Sequence, residues 1–232
     1  MKIYIHVPRE EWIVDRIGQE YAHSTSLDLA TTPEESEVIW LLSNWTWNQI
    51  NPGTLSEKPV VCTMHHITED SLVSSRYLEN FRLRDNFVNV YHVTNDITFN
   101  YLRQITKKPI RKIGYWVDME YWRSLEKEEC REELGVSLDK FFIGSFQRDT
   151  EGSDLKSPKL AKGPDLLCDF VEGIVEKDPN IKPHFLLSGY RRQYVKNRMK
   201  VAGIPITYME KLPMPFMVLL YNSCDLYAVS SR

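Results

Sequence analysis

The chain has 232 residues, 42% hydrophobic and 26% charged, with a net charge of −3. That is the composition of an ordinary globular protein. It lacks the basic excess that bulk nucleic-acid binding leaves, and no run of about 18 apolar residues marks a membrane span.

Residues 2–7 read as a first strand. Residues 10–22 read as a helix, with Trp12, Ile13, Ile17 and Tyr21 along one apolar side. Residues 37–42 form a continuous apolar run, the mark of a buried parallel strand, and 59–64 and 88–93 are two more. A helix over 96–104 and a short strand over 110–113 follow. Residues 118–133 are charged, with Trp122, Leu125 and then Leu134 as apolar points, and read as a linker helix stopped by Gly135. A second series runs strand 141–144, helix 164–176, strand 184–188, helix 193–201, strand 206–208, helix 215–222 and strand 226–229. Strands alternating with helices define an α/β class with parallel sheets and right-handed crossovers. Two domains are expected, 1–118 and 119–232.

The N-terminus, Met1-Lys2-Ile3-Tyr4-Ile5-His6-Val7, is too short and too soon polar for a signal peptide. Cys62, Cys130, Cys168 and Cys224 show no C-x-x-C and no metal-ligand spacing. They read as free, mostly buried thiols of a reducing compartment, so a cytoplasmic protein is expected.

In α/β folds, ligands bind beyond the carboxyl ends of the strands. That rule selects Pro8-Arg9, Ser43-Asn44, His65-His66, Thr94-Asn95, residues 144–148, Gly189-Tyr190, Glu210-Lys211 and Ser230-Ser231. The most informative stretch is Gly144-Ser145-Phe146-Gln147-Arg148, followed by Lys162-Gly163-Pro164-Asp165. Gly144 is small enough for a ligand to approach the backbone. Pro164 suits the first helical position, and free N–H groups there favour an anion. Arg148, Lys162 and a helix N-terminus together suggest a diphosphate cradle that needs no metal. The same residues also fit an ordinary strand–loop–helix unit with solvated charges.

His65 has the chemistry to hydrogen-bond a sugar hydroxyl, and equally to be simply packed. Adjacent histidines on a tight turn chelate one metal poorly, and no carboxylate lies at ligand spacing, so no metal site is expected. Arg191, Arg192, Lys196, Arg198 and Lys200 make the helix over 193–201 basic. A solvated face is the favoured reading, and weak peripheral attraction to anionic lipid or to an anionic acceptor is the alternative. No P-loop, G-x-S-x-G or G-x-G-x-x-G occurs, which weakens kinase, hydrolase and NAD readings.

The strand ending in Gly144, the arginine shortly after it and the Lys162-Gly163 helix opening resemble the C-terminal domain of GT-B retaining glycosyltransferases of the group 1, or family 4, type. Thr63-Met64-His65 is similar to the family's N-terminal strand–Thr–x–His pattern. Ile113-Gly114-Tyr115-Trp116-Val117-Asp118 resembles the run into its hinge, with Trp116 where a glycine is usual. The resemblance implies two Rossmann-like domains, an acceptor-side 1–118 and a nucleotide-sugar-binding 119–232. The second would be incomplete, because residues 225–231 resemble the strand before the family's acidic donor motif.

The resemblance further implies a hexosyltransferase acting with retention. A UDP- or GDP-linked sugar is the substrate, there is no cofactor, and the acceptor is a carbohydrate, lipid-linked or protein hydroxyl. Absence of a D-x-D motif agrees with metal independence. The catalytic residues carried over are His65, Arg148 and Lys162. Donor-binding residues are Gly144, Arg148, Lys162, Gly163, Gly189, Glu210 and Leu212, the last two flanking a loop whose backbone meets the base. A non-catalytic nucleotide- or sugar-binding module and a GT-B nucleotide-sugar epimerase are the alternatives.

Overall fold

The computed structural model describes residues 1–10, 13–152, 155–210 and 212–231. The chain divides into two compact units, Met1–Asp118 and Met119–Arg232. Trp12 and Lys211 lie outside the described residues.

The first unit runs β1 (Lys2–His6), α1 (Ile13–Ser24), β2 (Asp28–Leu29), β3 (Val38–Leu41), α2 (Pro52–Glu57), β4 (Val60–Met64), α3 (Glu69–Val73), α4 (Ser75–Asp85), β5 (Val90–Val93), α5 (Asp96–Leu102) and β6 (Ile110–Lys112). Its sheet has the order β2-β1-β3-β4-β5-β6, with every pairing parallel. Ile39, Leu41, Val60, Cys62, Tyr91 and Val93 are completely buried in its core. This explains why these strands read as continuous apolar runs.

The first helix does not include residue 10, contrary to expectation. The Asp15 carboxylate accepts the backbone N–H groups of Arg9 and Glu10 at 2.8 Å each. Those bonds accompany a turn with Arg9 at φ 57°, outside the right-handed helical region. Helices α2, α3 and α4 carry no strong apolar period and escaped the sequence reading. Their starts are set by side-chain caps: Asn51 accepts the Gly53 N–H at 2.8 Å, and Ser74 accepts that of Tyr77.

The second unit runs α6 (Lys127–Leu134), β7 (Phe141–Ser145), α7 (Pro164–Lys177), β8 (Pro183–Ser188), α8 (Gln193–Val201), β9 (Ile206–Met209), α9 (Met214–Asn222) and β10 (Leu226–Tyr227). Its sheet order is β10-β7-β8-β9, again parallel throughout. The expected linker helix over 118–133 is corrected to α6 alone. Asn222 diverts the preceding backbone: its Oδ1 accepts the Leu125 N–H, and its Nδ2 donates to the Arg123 carbonyl, both at 3.0 Å. Helix α6 ends at Gly135, whose φ of 64° suits a residue without a side chain.

Strand β10 is the short edge of this sheet, and a buried ion pair holds it there. Arg131 is 2% exposed. It donates from Nε to the Ser223 carbonyl, from Nη1 to the Leu138 carbonyl and from Nη2 to Asp225 Oδ2 at 2.6 Å. Its guanidinium lies 5.0 Å from the Phe142 ring centre. Asp225 also accepts the Lys127 ammonium and the Phe142 backbone N–H at 2.8 Å each. Partial burial opposes its ionisation, but these three donors outweigh it and hold the carboxyl below its usual range.

Breaking such a pair leaves an uncompensated buried charge, which costs about 3–5 kcal/mol. Asp225→Ala is therefore expected to lower stability by about 3 kcal/mol or more in urea unfolding followed by circular dichroism. A loss within experimental error would show that the pair does not hold β10.

Candidate functional site

In the second unit β7 comes first in the chain, β8 and β9 extend to one side and β10 returns to the other. The carboxyl ends of β7 and β10 therefore flank a topological switch point, the place where open α/β sheets bind ligands. Three segments meet there. Gln147, just past β7, donates from Nε2 to the Lys162 carbonyl at 3.1 Å and to Ser230 Oγ at 3.3 Å. Ser230, past β10, donates to the same Lys162 carbonyl at 3.0 Å, and Ser231 Oγ donates to Gln147 Oε1 at 3.1 Å. Gly163 then opens α7 at φ 57°. A Cβ at Gly163 would stand 1.8 Å from the Ser230 carbonyl oxygen, so this position admits only glycine.

Lys162 and Arg148 are both exposed. Pro164 at the first helical position removes one N–H. The N–H groups of Asp165 and Leu166 fall in the first helical turn, where the helix dipole favours an anion. Asp165 already places one carboxylate in that turn. Arg148 donates from Nε to the Thr150 carbonyl at 2.8 Å, which fixes its direction within its own loop.

Gly144 has a different reason from the one expected. It lies buried within β7 rather than at its exit, and a Cβ there would stand 2.3 Å from Cys224 Sγ and 3.2 Å from Tyr227 Cδ2. Its smallness serves the packing of β10 on β7. Gly189 does mark a strand exit. It has φ 91°, and its carbonyl accepts the Tyr208 hydroxyl at 3.0 Å. Glu210 is exposed just past β9, whereas Leu212 packs against the core of Phe142, Leu186 and Leu220.

The basic helix is not simply a solvated face. Arg192 is completely buried. Arg198 binds Asp169 at 2.5 Å and Glu172 at 2.6 Å on α7, and Lys196 stands 4.0 Å over the Tyr208 ring. Periodicity cannot reveal this, because the partners come from a neighbouring helix and strand. The cysteines are all free, with Cys62, Cys130 and Cys168 buried and Cys224 half-buried. Burial pushes the Cys62 thiol up to about 11 and those of Cys168 and Cys224 to about 12.

In the first unit, histidines at the carboxyl ends of β1, β4 and β5 each tie down a loop carbonyl. His6 Nε2 donates to Thr46 at 3.1 Å, His65 Nε2 to Leu42 at 2.7 Å and His92 Nε2 to Ile113 at 2.9 Å. A carbonyl only accepts, so Nε2 carries the proton in each ring. His65 Nδ1 then accepts the Tyr115 hydroxyl at 2.7 Å, and His92 Nδ1 accepts that of Thr63 at 3.0 Å. Both ring nitrogens of His65 are thus engaged inside this unit, and sequence did not reveal Tyr115 as its partner. Trp116 packs against Trp40 and Tyr21, so its bulk belongs to an aromatic cluster of this unit. A cleft of about 530 Å³ beside β1 and α1 is lined by Ile5, Val7, Arg9, Asp15 and Gln19 among others. Among the described residues, no cluster of three His, Cys, Asp or Glu is placed to hold a metal, and no helix is long and apolar enough to cross a membrane.

No protein-family model matches the chain, and no curated protein does. Solved structures do. S. aureus TarM, in a mutant complex with fondaparinux, alpha-GlcNAc-glycerol and UDP, superposes with TM-score 0.60 at 13% identity, over 87% of this chain and 38% of that one. Sucrose-phosphate synthase from Thermosynechococcus elongatus gives 0.56 at 16% identity, over 97% and 57%. UDP-GlcNAc 2-epimerase from Methanocaldococcus jannaschii gives 0.52 at 13%, over 98% and 78%. The chain thus has the GT-B type of α/β fold, and it spans only part of the length of these proteins.

Burial lowers the proton affinity of His6, His65 and His92 below the ordinary histidine value. The fold favours the neutral ring, so below about pH 6.5 unfolding is accompanied by proton uptake. Their stabilisation is complete above about pH 6.5 and is lost as pH falls below it, by up to about 1.4 kcal/mol per pH unit for each ring. The melting temperature should therefore fall between pH 7.5 and 5.5, with a shallower slope in His92→Gln. Equal slopes in the two proteins would contradict the assignment for His92.

Proposed function

We propose that this chain carries the machinery of a glycosyltransferase that moves a hexosyl group from a UDP- or GDP-linked sugar to an acceptor hydroxyl, with retention and without a metal. The observation that carries the reading is the junction of Gln147, Lys162-Gly163 and Ser230 at the switch point of the second sheet, with two exposed cations on the same segment. The GT-B fold supports it, as does UDP in the TarM complex.

In the reaction, the bond from the sugar's anomeric carbon to the diphosphate oxygen breaks, and a bond from that carbon to the acceptor oxygen forms. The acceptor's proton departs with the diphosphate. Negative charge grows on the leaving diphosphate, so Lys162, Arg148 and the first-turn N–H groups of α7 bind it more strongly as the reaction proceeds. Gly189, Glu210 and Leu212 bracket the strand exits where the nucleotide is placed, with Gly144 as the packing point beneath. In the first unit, the cleft beside β1 takes the carbohydrate, lipid-linked or protein acceptor. His65 offers Nδ1 to a sugar hydroxyl when that hydroxyl replaces Tyr115. The site uses no resident cofactor, and the protein works in the cytoplasm with weak contact to anionic lipid through exposed basic residues such as Lys200.

A second reading is favoured by one observation. The epimerase structure is covered over 78% of its length by this chain. An epimerase would convert the nucleotide sugar with no acceptor present, so product analysis with and without acceptor separates the two.

Calorimetric titration of UDP and GDP into the wild type and Lys162→Ala tests the diphosphate site. Loss of one charge-assisted contact is expected to weaken binding about ten- to hundredfold with the fold unchanged by circular dichroism. Equal affinity in the two proteins would remove Lys162 from the site.

A further inference from the structure

We propose that the buried Asp149–Arg192 pair is the positioning element of the diphosphate site, fixing the segment that carries both Arg148 and Lys162. The inference rests on the diphosphate reading of that site and adds residues that sequence did not associate with it.

Arg192 opens α8 and is 0% exposed. Its Nε lies 3.4 Å from Asp149 Oδ2, and its Nη2 donates to Ser145 Oγ, at the end of β7, at 3.1 Å. The contact with Asp149 is an ion pair without a hydrogen bond, and among the described residues neither Nε nor Nη1 has a hydrogen-bond partner. For stability alone, an apolar side chain of similar volume serves as well as a buried ion pair. What the pair supplies is geometry. Asp149 immediately follows Arg148, in the long connection between β7 and α7. Unanchored, such a connection would sample many conformations, and holding its ends in place carries an entropic cost.

Every polar group of Asp149 is engaged. Its carboxylate, besides meeting Arg192, accepts the N–H groups of Tyr194 and Val195 in the first turn of α8, at 3.3 and 3.4 Å. Its own N–H and that of Thr150 both donate to the Arg191 carbonyl at 3.1 Å. Arg191 sits at φ 57°, a conformation uncommon for a residue with a side chain, and donates from Nη1 to the Gly152 carbonyl at 2.9 Å.

Two routes lead from Asp149 to the cations. In one, Thr150, locked beside it, presents the carbonyl that directs Arg148 at 2.8 Å. In the other, the Asp149 carbonyl accepts the Lys159 N–H at 2.8 Å, and the Lys159 carbonyl accepts that of Lys162 at 2.8 Å. Burial raises the proton affinity of the Asp149 carboxyl and the guanidinium opposes that rise. Removing Arg192 takes away the side chain that joins Asp149 to Ser145 at the end of β7, loosening the hub without supplying another cation. Arg192 touches no ligand in this scheme; it acts through Asp149.

The test compares Arg192→Met and Arg192→Lys with the wild type by UDP calorimetry, with and without Arg148→Ala, and by amide hydrogen exchange. Arg192→Met is expected to weaken UDP binding about tenfold, and by clearly less when Arg148 is already alanine, the coupling expected of residues acting as one unit. Arg192→Lys, which keeps the charge, should recover part of the loss. Exchange in Arg192→Met should accelerate over residues 148–162 while β7 and β8 stay protected. Additive losses, or unchanged exchange over that segment, would overturn the proposal. If the wild type binds neither UDP nor GDP, the diphosphate reading fails on its own, and the exchange comparison still decides whether the pair orders the segment. If Arg192→Met does not fold, Arg192→Lys carries the same comparisons.

Discussion

The placement of β10 beside β7 is the constraint on which the second unit depends. Among the described residues the ladder between them pairs Leu226 with Ile143 and Tyr227 with Gly144. Two residue pairs do not hold an edge strand by themselves. Asp225 adds what is missing, since one carboxylate binds the Phe142 N–H of β7 and the Arg131 guanidinium of α6 together. Gly144 lets the strands close, because any side chain there would collide with Cys224. With β10 in place, Ser230 comes down on Gly163 and closes the junction with Gln147. The candidate site is thus a consequence of how a short strand is anchored, several residues away from any group that would touch a ligand.

Most of the fold was legible in the sequence, for a physical reason. Strands buried on both faces are continuously apolar, and β3, β4, β5, β7 and β8 are readable that way, whereas β2, two exposed residues at the sheet edge, carries no such signal. Helix α8 was legible to the residue. The helices between β3 and β5 were not, because α4 is dominated by charged side chains and the starts of α2 and α4 depend on single capping oxygens at Asn51 and Ser74. The linker was misread because Asn222, almost a hundred residues downstream, takes its backbone hydrogen bonds. Local pattern cannot carry that information.

The site was legible in a similar, partial way. Glycines and prolines state their backbone requirement locally, so Gly163, Pro164 and Gly189 were readable, and the strand-end rule selected Ser230. The rule also picked out His65, but not that Tyr115 and the Leu42 carbonyl occupy both its nitrogens. Arg192 looked like one more surface cation, since its meaning resides in Asp149, reached only through the sheet. The two units also differ in character. The first ties loops to strand ends through histidines, whereas the second closes its switch point through Gln147, Ser230 and the Lys162-Gly163 opening of α7.

The most direct test of the diphosphate site is to follow backbone amide resonances of the isotope-labelled chain while UDP is added. The account predicts saturable shifts centred on the Asp165 and Leu166 amides at the start of α7, together with Gly163 and the Gln147 side-chain amide. Saturable shifts confined to other strand ends, or to the first unit, would contradict it.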